Sequence, residues 1–368
     1  MKYAARSIRR YALGAMLIAL LAFAPAIAYA QGRTAKPSPS GPPPAPATHA
    51  KAAALIDVQS GRLLVSQNGE EEMRIASLTK IMTAIVAVEH GDLQSIVTVS
   101  KRAAGKEGSS IYLRAGEKMK LLDMLYGLML RSGNDAATAV AEHVGGSVEG
   151  FVFLMNQKAE QLGLEHTHFA NPSGLDQEGH YSSANDMARL TAYALHNPVF
   201  REIVRTKVRT APNPYEPWDY KWVNKNKMLL QYEGADGVKT GYTKKALRCL
   251  VSSATRGGQQ LVAVTLNDGD DWQDHRKLLD YGFAAYPLQL VMAKGESFAG
   301  YPYVAVADFK YPFAAGEREK LTAHFVPVAS TSVAYAFGYR GKLEFRLGEQ
   351  PIGSVGLVAQ APPEDKKK

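Results

Sequence analysis

Three short segments carry side chains that together can do covalent chemistry. The first is Ser77-Leu78-Thr79-Lys80. On a helix, residues three apart project from one face, so Ser77 sits beside Lys80. A serine hydroxyl is a poor nucleophile until a base takes its proton. A lysine serves as that base when burial or a nearby cation pulls its pKa well below about 10.4. The backbone N–H of Ser77 is also one of the free donors of the helix end. In the purely structural alternative, Ser77 is the N-cap of an amphipathic helix. The second segment is Ser132-Gly133-Asn134. Its hydroxyl can relay a proton, and its amide can donate to and accept from a peptide bond. The spacing recurs at Ser66-Gln67-Asn68 and Ser183-Ala184-Asn185, where loop capping is the structural alternative. The third is Lys239-Thr240-Gly241, on an expected strand. A cation and a hydroxyl point near one spot, and the glycine lets a ligand approach the backbone.

These segments need a scaffold that brings residues 55 and 107 positions apart to one place. Ala53 to Val58 reads as a buried strand, Gln59-Ser60-Gly61 as a turn and Arg62 to Val65 as the hairpin partner. Ala76 to Glu89 reads as a helix, with Ile81, Ala84, Ile85 and Val88 on one apolar face. Residues 121–163 and Ala184 to Leu195 are helical in pattern. Gly237 to Tyr242, Cys249 to Ala254 and Leu261 to Leu266 are short strands, followed by a helix from Trp272 to Phe283. Two strands open this part, helices fill its middle and three strands close it. The five strands are expected to share one sheet covered by helices. Beyond Leu290, alternation at Tyr303 to Val306, Ala323 to Val326, Lys342 to Leu347 and Ser354 to Val358 predicts a β-rich unit, with Gly348 to Gly353 as a turn.

The chain has 368 residues, a 46% apolar share and a formal net charge of +8. That length suits about two domains and excludes global disorder. The single cysteine, Cys249, excludes an intrachain disulfide and a thiolate zinc cluster; it is read as buried packing. Lys2, Arg6, Arg9 and Arg10 precede an apolar run of 14 residues, Tyr11 to Ala24, and then Ala28-Tyr29-Ala30. This is the layout of a secretory signal peptide cut after Ala30, and the run is short for a membrane span of about 20 residues. Removing it lowers the formal charge from +8 to +4. No basic stripe interleaved with aromatics remains, so no nucleic-acid partner is expected. Residues 31–50, rich in Pro, Ser, Ala and Gly, read as a linker. The expected organisation is a signal peptide (1–30), that linker, a catalytic domain (51–289), a β-rich domain (290–360) and a charged tail (361–368).

The order of the three segments, each in its own structural setting, is the set found in penicillin-binding proteins and class A β-lactamases. The sequence resembles the low-molecular-mass penicillin-binding proteins, serine-type D-alanyl-D-alanine carboxypeptidases of the S11 peptidase type. The likeness runs from about Ala52 to Phe283. It includes Arg74 to Thr83, Phe169-Ala170-Asn171-Pro172-Ser173-Gly174-Leu175 and Tyr181-Ser182-Ser183-Ala184. The resemblance implies an α/β (α+β) serine β-lactamase/transpeptidase-like fold. In it an antiparallel sheet is flanked by helices, with an all-α subdomain and a small C-terminal all-β domain. It implies that Ser77 attacks the peptide carbonyl between two terminal D-alanines and that Lys80 takes its proton, kept neutral by burial and by Lys239. Ser132 would pass a proton to the leaving amine, and Asn134 would hold the substrate amide. Lys239 and Thr240 would bind the terminal carboxylate beside Gly241. The N–H groups of Ser77 and Tyr242 would form the oxyanion hole. Water, with Lys80 again as base, would release the acyl group. The implied partners are peptidoglycan stem peptides ending in D-Ala-D-Ala and β-lactams, with no cofactor and no metal, in an exported, extracytoplasmic protein.

Three departures from the family pattern stand out. The tail Ala361 to Lys368 has no apolar face, so no C-terminal amphipathic membrane anchor is expected. Leu247 stands where relatives often have Gly. Asp270-Asp271-Trp272 replaces an Arg that assists the substrate carboxylate in some relatives, with Arg276 as the candidate substitute. The rival readings are a class A-like β-lactamase, a metal-dependent peptidase and a catalytically silent wall- or β-lactam-binding module. The first needs a Glu–water deacylation site, for which Glu165 and Asn171 are the nearest pair. The second needs a ligand set, for which His166, His168 and His180 are the local cluster; surface or capping roles are expected for these.

Overall fold

A computed structural model describes residues 41–298 and 300–360. The signal-peptide reading, the start of the linker and the charged tail lie outside the described residues. The chain opens with the hairpin β1 (Ala52–Asp57) and β2 (Leu63–Gln67), then a 3₁₀ turn (Ala76–Thr79) that runs into α1 (Lys80–His90). A small hairpin, β3 (Ile96–Thr98) and β4 (Lys118–Lys120), precedes α2 (Leu121–Tyr126), a π turn (Gly127–Arg131), α3 (Asn134–Gly145) and α4 (Val148–Gln161). Then come α5 (Ala184–His196), α6 (Pro198–Arg205), the hairpin β5 (Val208–Ala211) and β6 (Tyr220–Val223), and the single turn α7 (Met228–Gln231). The strands β7 (Ala235–Thr243), β8 (Leu247–Arg256) and β9 (Gln259–Leu266) lead into α8 (Asp271–Ala285).

The central sheet has the order β2-β1-β9-β8-β7, with antiparallel pairing throughout. Strands far apart in the sequence share it, as the pattern predicts. Alternation along β1 sends Ala53 and Leu55 toward Leu278 and Leu279 of α8, and Ala54 and Ile56 toward the helical side. Both faces are covered, so β1 is buried throughout rather than alternating, and it is apolar up to Ile56. Helix α1 departs from the expected single apolar face. Lys80 to Ala87 are all buried, because the helix runs through the core rather than along its surface.

The C-terminal part has its own sheet. The strands β10 (Leu288–Met292) and β12 (Phe309–Pro312) pair with each other. Four more, β11 (Tyr303–Ala305), β13 (Leu321–Pro327), β14 (Tyr339–Leu347) and β15 (Gln350–Ala359), form a sheet in the order β11-β15-β14-β13. Between β13 and β14 lies the one-turn helix α9 (Val333–Ala336). A separate small core holds this sheet together, built on Leu343, Phe345, Val355 and Leu357. The turn expected over Gly348 to Gly353 is shorter. Gln350 already pairs with Leu347 and Gly353 with Phe345, leaving Gly348 and Glu349 as a two-residue hairpin turn.

Two tethers tie outlying segments to the central sheet. Arg62 of the first hairpin donates to both carboxylate oxygens of Glu317 at 2.7 and 2.6 Å and to Pro312 O at 2.8 Å. At the end of the expected linker, His49 N–H donates to Asp274 of α8, and Pro43 O accepts from Tyr281 OH at 2.8 Å. Among the described residues, no helix is long and apolar enough to cross a membrane.

Candidate active site

Ser77 does not cap a helix. It lies within the 3₁₀ turn, after Ala76 at φ +47°, and no side-chain capping bond is made there. That positive φ is sterically costly for a residue with a Cβ, and it marks a turn held from outside. What holds it is the loop at residues 171–180. Thr79 Oγ1 donates to Ala76 O at 2.8 Å, and Thr83 Oγ1 donates to Pro172 O at 2.7 Å. Gly174, at φ +81°, presses so closely on the turn that an added Cβ would stand 1.8 Å from Ala76 O. His180 completes the clamp. Its Nδ1 accepts from Ala170 N–H at 3.0 Å, so its proton sits on Nε2 and points at Thr79 Oγ1, 2.8 Å away. His180 was expected at the surface or as a cap; it is buried and braces the nucleophile turn.

Lys80 is fully buried. Its Nζ lies 3.0 Å from Ser77 Oγ, 2.7 Å from Asn134 Oδ1 and 2.5 Å from Ser173 O. The last two atoms can only accept. A neutral amine must therefore point both its hydrogens at them, which aims its lone pair at the one partner able to donate, the Ser77 hydroxyl. Burial, reinforced by the positive charge of Lys225 and opposed by Asp135, pulls the Lys80 pKa down to about 7. The neighbouring cation is thus not the expected one. Lys239 is itself buried, and burial together with Lys80 and Lys225 pushes its own pKa well below the ordinary value. Lys225 reaches Ser109 Oγ at 3.0 Å from the loop after β6.

The π turn ends at Ser132, which is buried and left-handed at φ +66°. Such turns recur where a side chain must be re-aimed at a site. Asn134 opens α3. Its Oδ1 faces Lys80, and one Nδ2 hydrogen goes to Glu107 O at 2.7 Å, which leaves one N–H for a ligand carbonyl. Next to it, buried Asp135 accepts from Ser110 Oγ at 2.6 Å and from the Ile111 and Leu113 amides, and so fastens the loop at residues 109–113 over the cleft.

On β7, Lys239 Nζ donates to Thr240 O at 2.7 Å, while Tyr242 is 63% exposed. A Cβ on Gly241 would stand 3.2 Å from both Ile75 O and Ser77 N. The glycine makes room for the nucleophile turn itself rather than only for a ligand, and it sets the Ser77 amide against the β7 backbone. Leu247 keeps the left-handed conformation that a glycine adopts without strain, at φ +59°. Arg276 is not brought to the cleft; it reaches Gln231 at 3.3 Å. The guanidinium nearest Tyr242 in the ladder is Arg248, paired with Asp271.

The other candidates separate from this cluster. Ser183 is the N-cap of α5, accepting from Asp186 N–H at 3.1 Å, and Ser66 accepts from Asn185 at 3.0 Å. Asn171 spends its Oδ1 on the amides of Ser173 and Gly174. Glu165 is exposed, and among the described residues no carboxylate bonds to Ser77 or Lys80. His166 pairs with Glu70 at 3.1 Å and His168 with Gly179 O at 2.5 Å, on separate partners. Cys249 packs beside Arg74 O, and burial pushes its thiol up to about 12.

The family model for D-alanyl-D-alanine carboxypeptidases (peptidase S11) matches residues 39–270, which include every residue of this cluster. The chain belongs to that family. It is 39% identical over 263 residues to D-alanyl-D-alanine carboxypeptidase DacF of Bacillus subtilis, covering 69% of this chain and 67% of the relative. It is 37% identical over 255 residues to DacC of Escherichia coli, covering 65% of this chain and 62% of the relative. Among solved structures it is similar to penicillin-binding protein 5 from Haemophilus influenzae. That match has a TM-score of 0.71 at 28% identity and covers 86% of this chain and 98% of the other. It is also similar to a mutant of the Streptomyces K15 DD-transpeptidase, with a TM-score of 0.62 at 33% identity over 65% of this chain and 99% of the other. The family's fold is the one implied by the three segments: a helix-flanked antiparallel sheet with a C-terminal all-β region.

The sequence did not single out His180, Lys225, Asp135 or the Ser173 carbonyl as parts of the site. Each acts through a backbone group or through distance in space, and neither leaves a periodic or motif signal in the chain.

Proposed function

We propose that this protein is a serine DD-carboxypeptidase that removes the terminal D-Ala from peptidoglycan stem peptides ending in D-Ala-D-Ala. The observation that carries the reading is the Lys80–Ser77 pair at 3.0 Å, with both other Lys80 partners able only to accept. Neutral Lys80 takes the hydroxyl proton as Ser77 Oγ bonds to the carbonyl carbon of the penultimate D-Ala. The carbonyl electrons move onto oxygen, which the amides of Ser77 and Tyr242 hold. The C–N bond then breaks. The Ser132 hydroxyl relays a proton from Lys80 to the departing amine, and the electrons return to restore a carbonyl as an ester on Ser77. Asn134 holds the substrate amide, and Lys239 and Thr240 hold the terminal carboxylate, whose charge offsets the cost of a buried ammonium. Water then attacks the ester with Lys80 as base, releasing the shortened peptide and Ser77. A β-lactam enters the same sequence and stalls as a slowly hydrolysed ester.

Residues 51–289 form the catalytic domain in this reading, and residues 290–360 a second, β-rich domain. Residues 1–30 direct export to the extracytoplasmic envelope, so the secreted protein should begin at Gln31. The deciding experiment measures D-Ala release from a peptide ending in Lys-D-Ala-D-Ala together with one-to-one labelling by a fluorescent penicillin. Both are expected in the wild type and lost in Ser77→Ala. Labelling that survives Ser77→Ala overturns the nucleophile assignment. Transfer of the acyl group to an amine in place of water is a second reading, favoured by the likeness to a Streptomyces protein named a DD-transpeptidase.

A further inference from the structure

Beside the cleft, on the far side of the loop that Asp135 fastens, lies a groove of about 530 Å³. One wall is the 110–114 loop with Arg131. The other is the segment from Asn213 into β6. Arg114 of the loop pairs with Glu216 opposite, and Arg131 donates to Val223 O at 3.3 Å, so the two walls are held as one body. The buried floor is Trp222, with Tyr220 stacked on it at 5.4 Å.

Two aromatic rings of this groove stand out in water. Tyr112 is 84% exposed at φ +64°, and Trp218 is 66% exposed. Aromatic rings lining a concave site together with a few charged groups suit ligand contact. The charges are also unbalanced. Arg114 and Glu216 offset each other, which leaves Arg131 and Lys221 against Asp219 alone. Lys225 adds a further cation at the inner lip, where it bonds Ser109, whose carbonyl in turn accepts from the Asn134 amide at 2.7 Å. The groove thus carries an excess positive charge and exposed aromatic rings, and its lining residue Ser110 follows Ser109, the residue bonded to the Asn134 amide.

We propose that this groove binds the carboxylate-bearing peptide that precedes D-Ala-D-Ala in the stem, with Lys221 and Arg131 meeting its carboxylate and Trp218 covering its backbone. The proposal rests on the carboxypeptidase reading. It makes the enzyme selective for whole stems over truncated ones, because contacts remote from the reacting bond orient that bond.

The test compares two substrates. Diacetyl-Lys-D-Ala-D-Ala carries no upstream carboxylate; L-Ala-γ-D-Glu-L-Lys-D-Ala-D-Ala carries one. The wild type is expected to favour the pentapeptide by about tenfold in kcat/KM, a preference worth about 1.4 kcal/mol. Trp218→Ala and Lys221→Glu should each erase that preference by lowering the pentapeptide rate toward that of the tripeptide. Equal rates on the two substrates in the wild type, or variants that slow both alike, would overturn the groove assignment. Absence of D-Ala release from either substrate would overturn the carboxypeptidase reading itself, and with it this one.

Discussion

Where the C-terminal strands meet the central sheet, Arg62 leaves water and finds a carboxylate. It grips Glu317 with two hydrogen bonds and lies over the rings of Tyr286 and Tyr311, 5.0 and 5.3 Å from their centroids. Burial alone would lower its pKa, but Glu317 and the tyrosines outweigh it, and the pKa rises above its ordinary value. In the cleft, Lys80 leaves water more completely and finds a hydroxyl, an amide oxygen and a peptide carbonyl. Among the described residues no carboxylate bonds to it, and its pKa falls to about 7. Each side chain lies within hydrogen-bond distance of three atoms. The difference is the charge of the acceptors: an ionised partner keeps the proton on, and neutral dipoles in a dry pocket let it go. One arrangement makes a clasp, the other a base.

The sharpest way to break this comparison is Lys80→Arg, which restores a permanent charge to the pocket. Acylation by substrate or fluorescent penicillin should fall by roughly 10³-fold or more, the scale of a lost general base. Activity close to wild type would remove Lys80 from the role.

The pH profile comes next. In the wild type, kcat/KM should rise through about pH 7, losing about tenfold for each unit below it as Lys80 takes up its proton. Stability carries the same signature. The folded-state pKa is lowered, so between about pH 7 and the unfolded value near 10.5 the unfolded chain binds the extra proton. Stability should rise with pH across that window, and Lys80→Met should remove its share of the rise in urea titrations, leaving that of Lys239.

At the other pole, Glu317→Gln leaves Arg62 charged against a neutral amide. We expect a loss of about 2 kcal/mol in unfolding free energy, with kcat unchanged. A fall in kcat at constant stability would show that the clasp and the cleft are not separate.

His180 sharpens the comparison with a smaller effect. Burial, then the nearby charges of His168, Arg74 and Lys80, holds its pKa down to about 4. Its contribution to stability should be whole above the unfolded value near 6.5 and lost progressively as pH falls toward 4. His180→Gln keeps a donor and an acceptor for Thr79 and Ala170 without titrating. It should retain activity and lose that part of the acid sensitivity. Cys249 supplies the baseline, a buried group whose partners among the described residues are backbone carbonyls. With its thiol pushed up to about 12, the folded protein should resist thiol reagents at about pH 8 and react only on unfolding.

Most of the frame was legible in the chain. The two opening strands, the helical middle and the three closing strands follow from residue periodicity, and Ser77, Lys80 and Asn134 meet as their spacing and order predict. Periodicity misjudged α1, because a helix buried all round and one buried on a single face both show an apolar stripe. Gly241, read as leaving room for a ligand, also makes room for the Ser77 turn, a contact between segments distant in the chain that the local sequence does not show. His180 looked like a surface histidine because nothing local distinguishes a ring that faces a threonine 101 residues away.

By itself, then, the sequence determined which groups are present and in what order. It supplied a serine and a lysine one turn apart, an amide, a second lysine on an edge strand, and the alternation that folds them into one sheet. It did not determine the protonation state of any of them. That depends on the distance to Lys225, on the neutral acceptors around Lys80 and on the exclusion of water. Desolvation and Coulomb energies are properties of three-dimensional separation, and only the tertiary structure sets those separations.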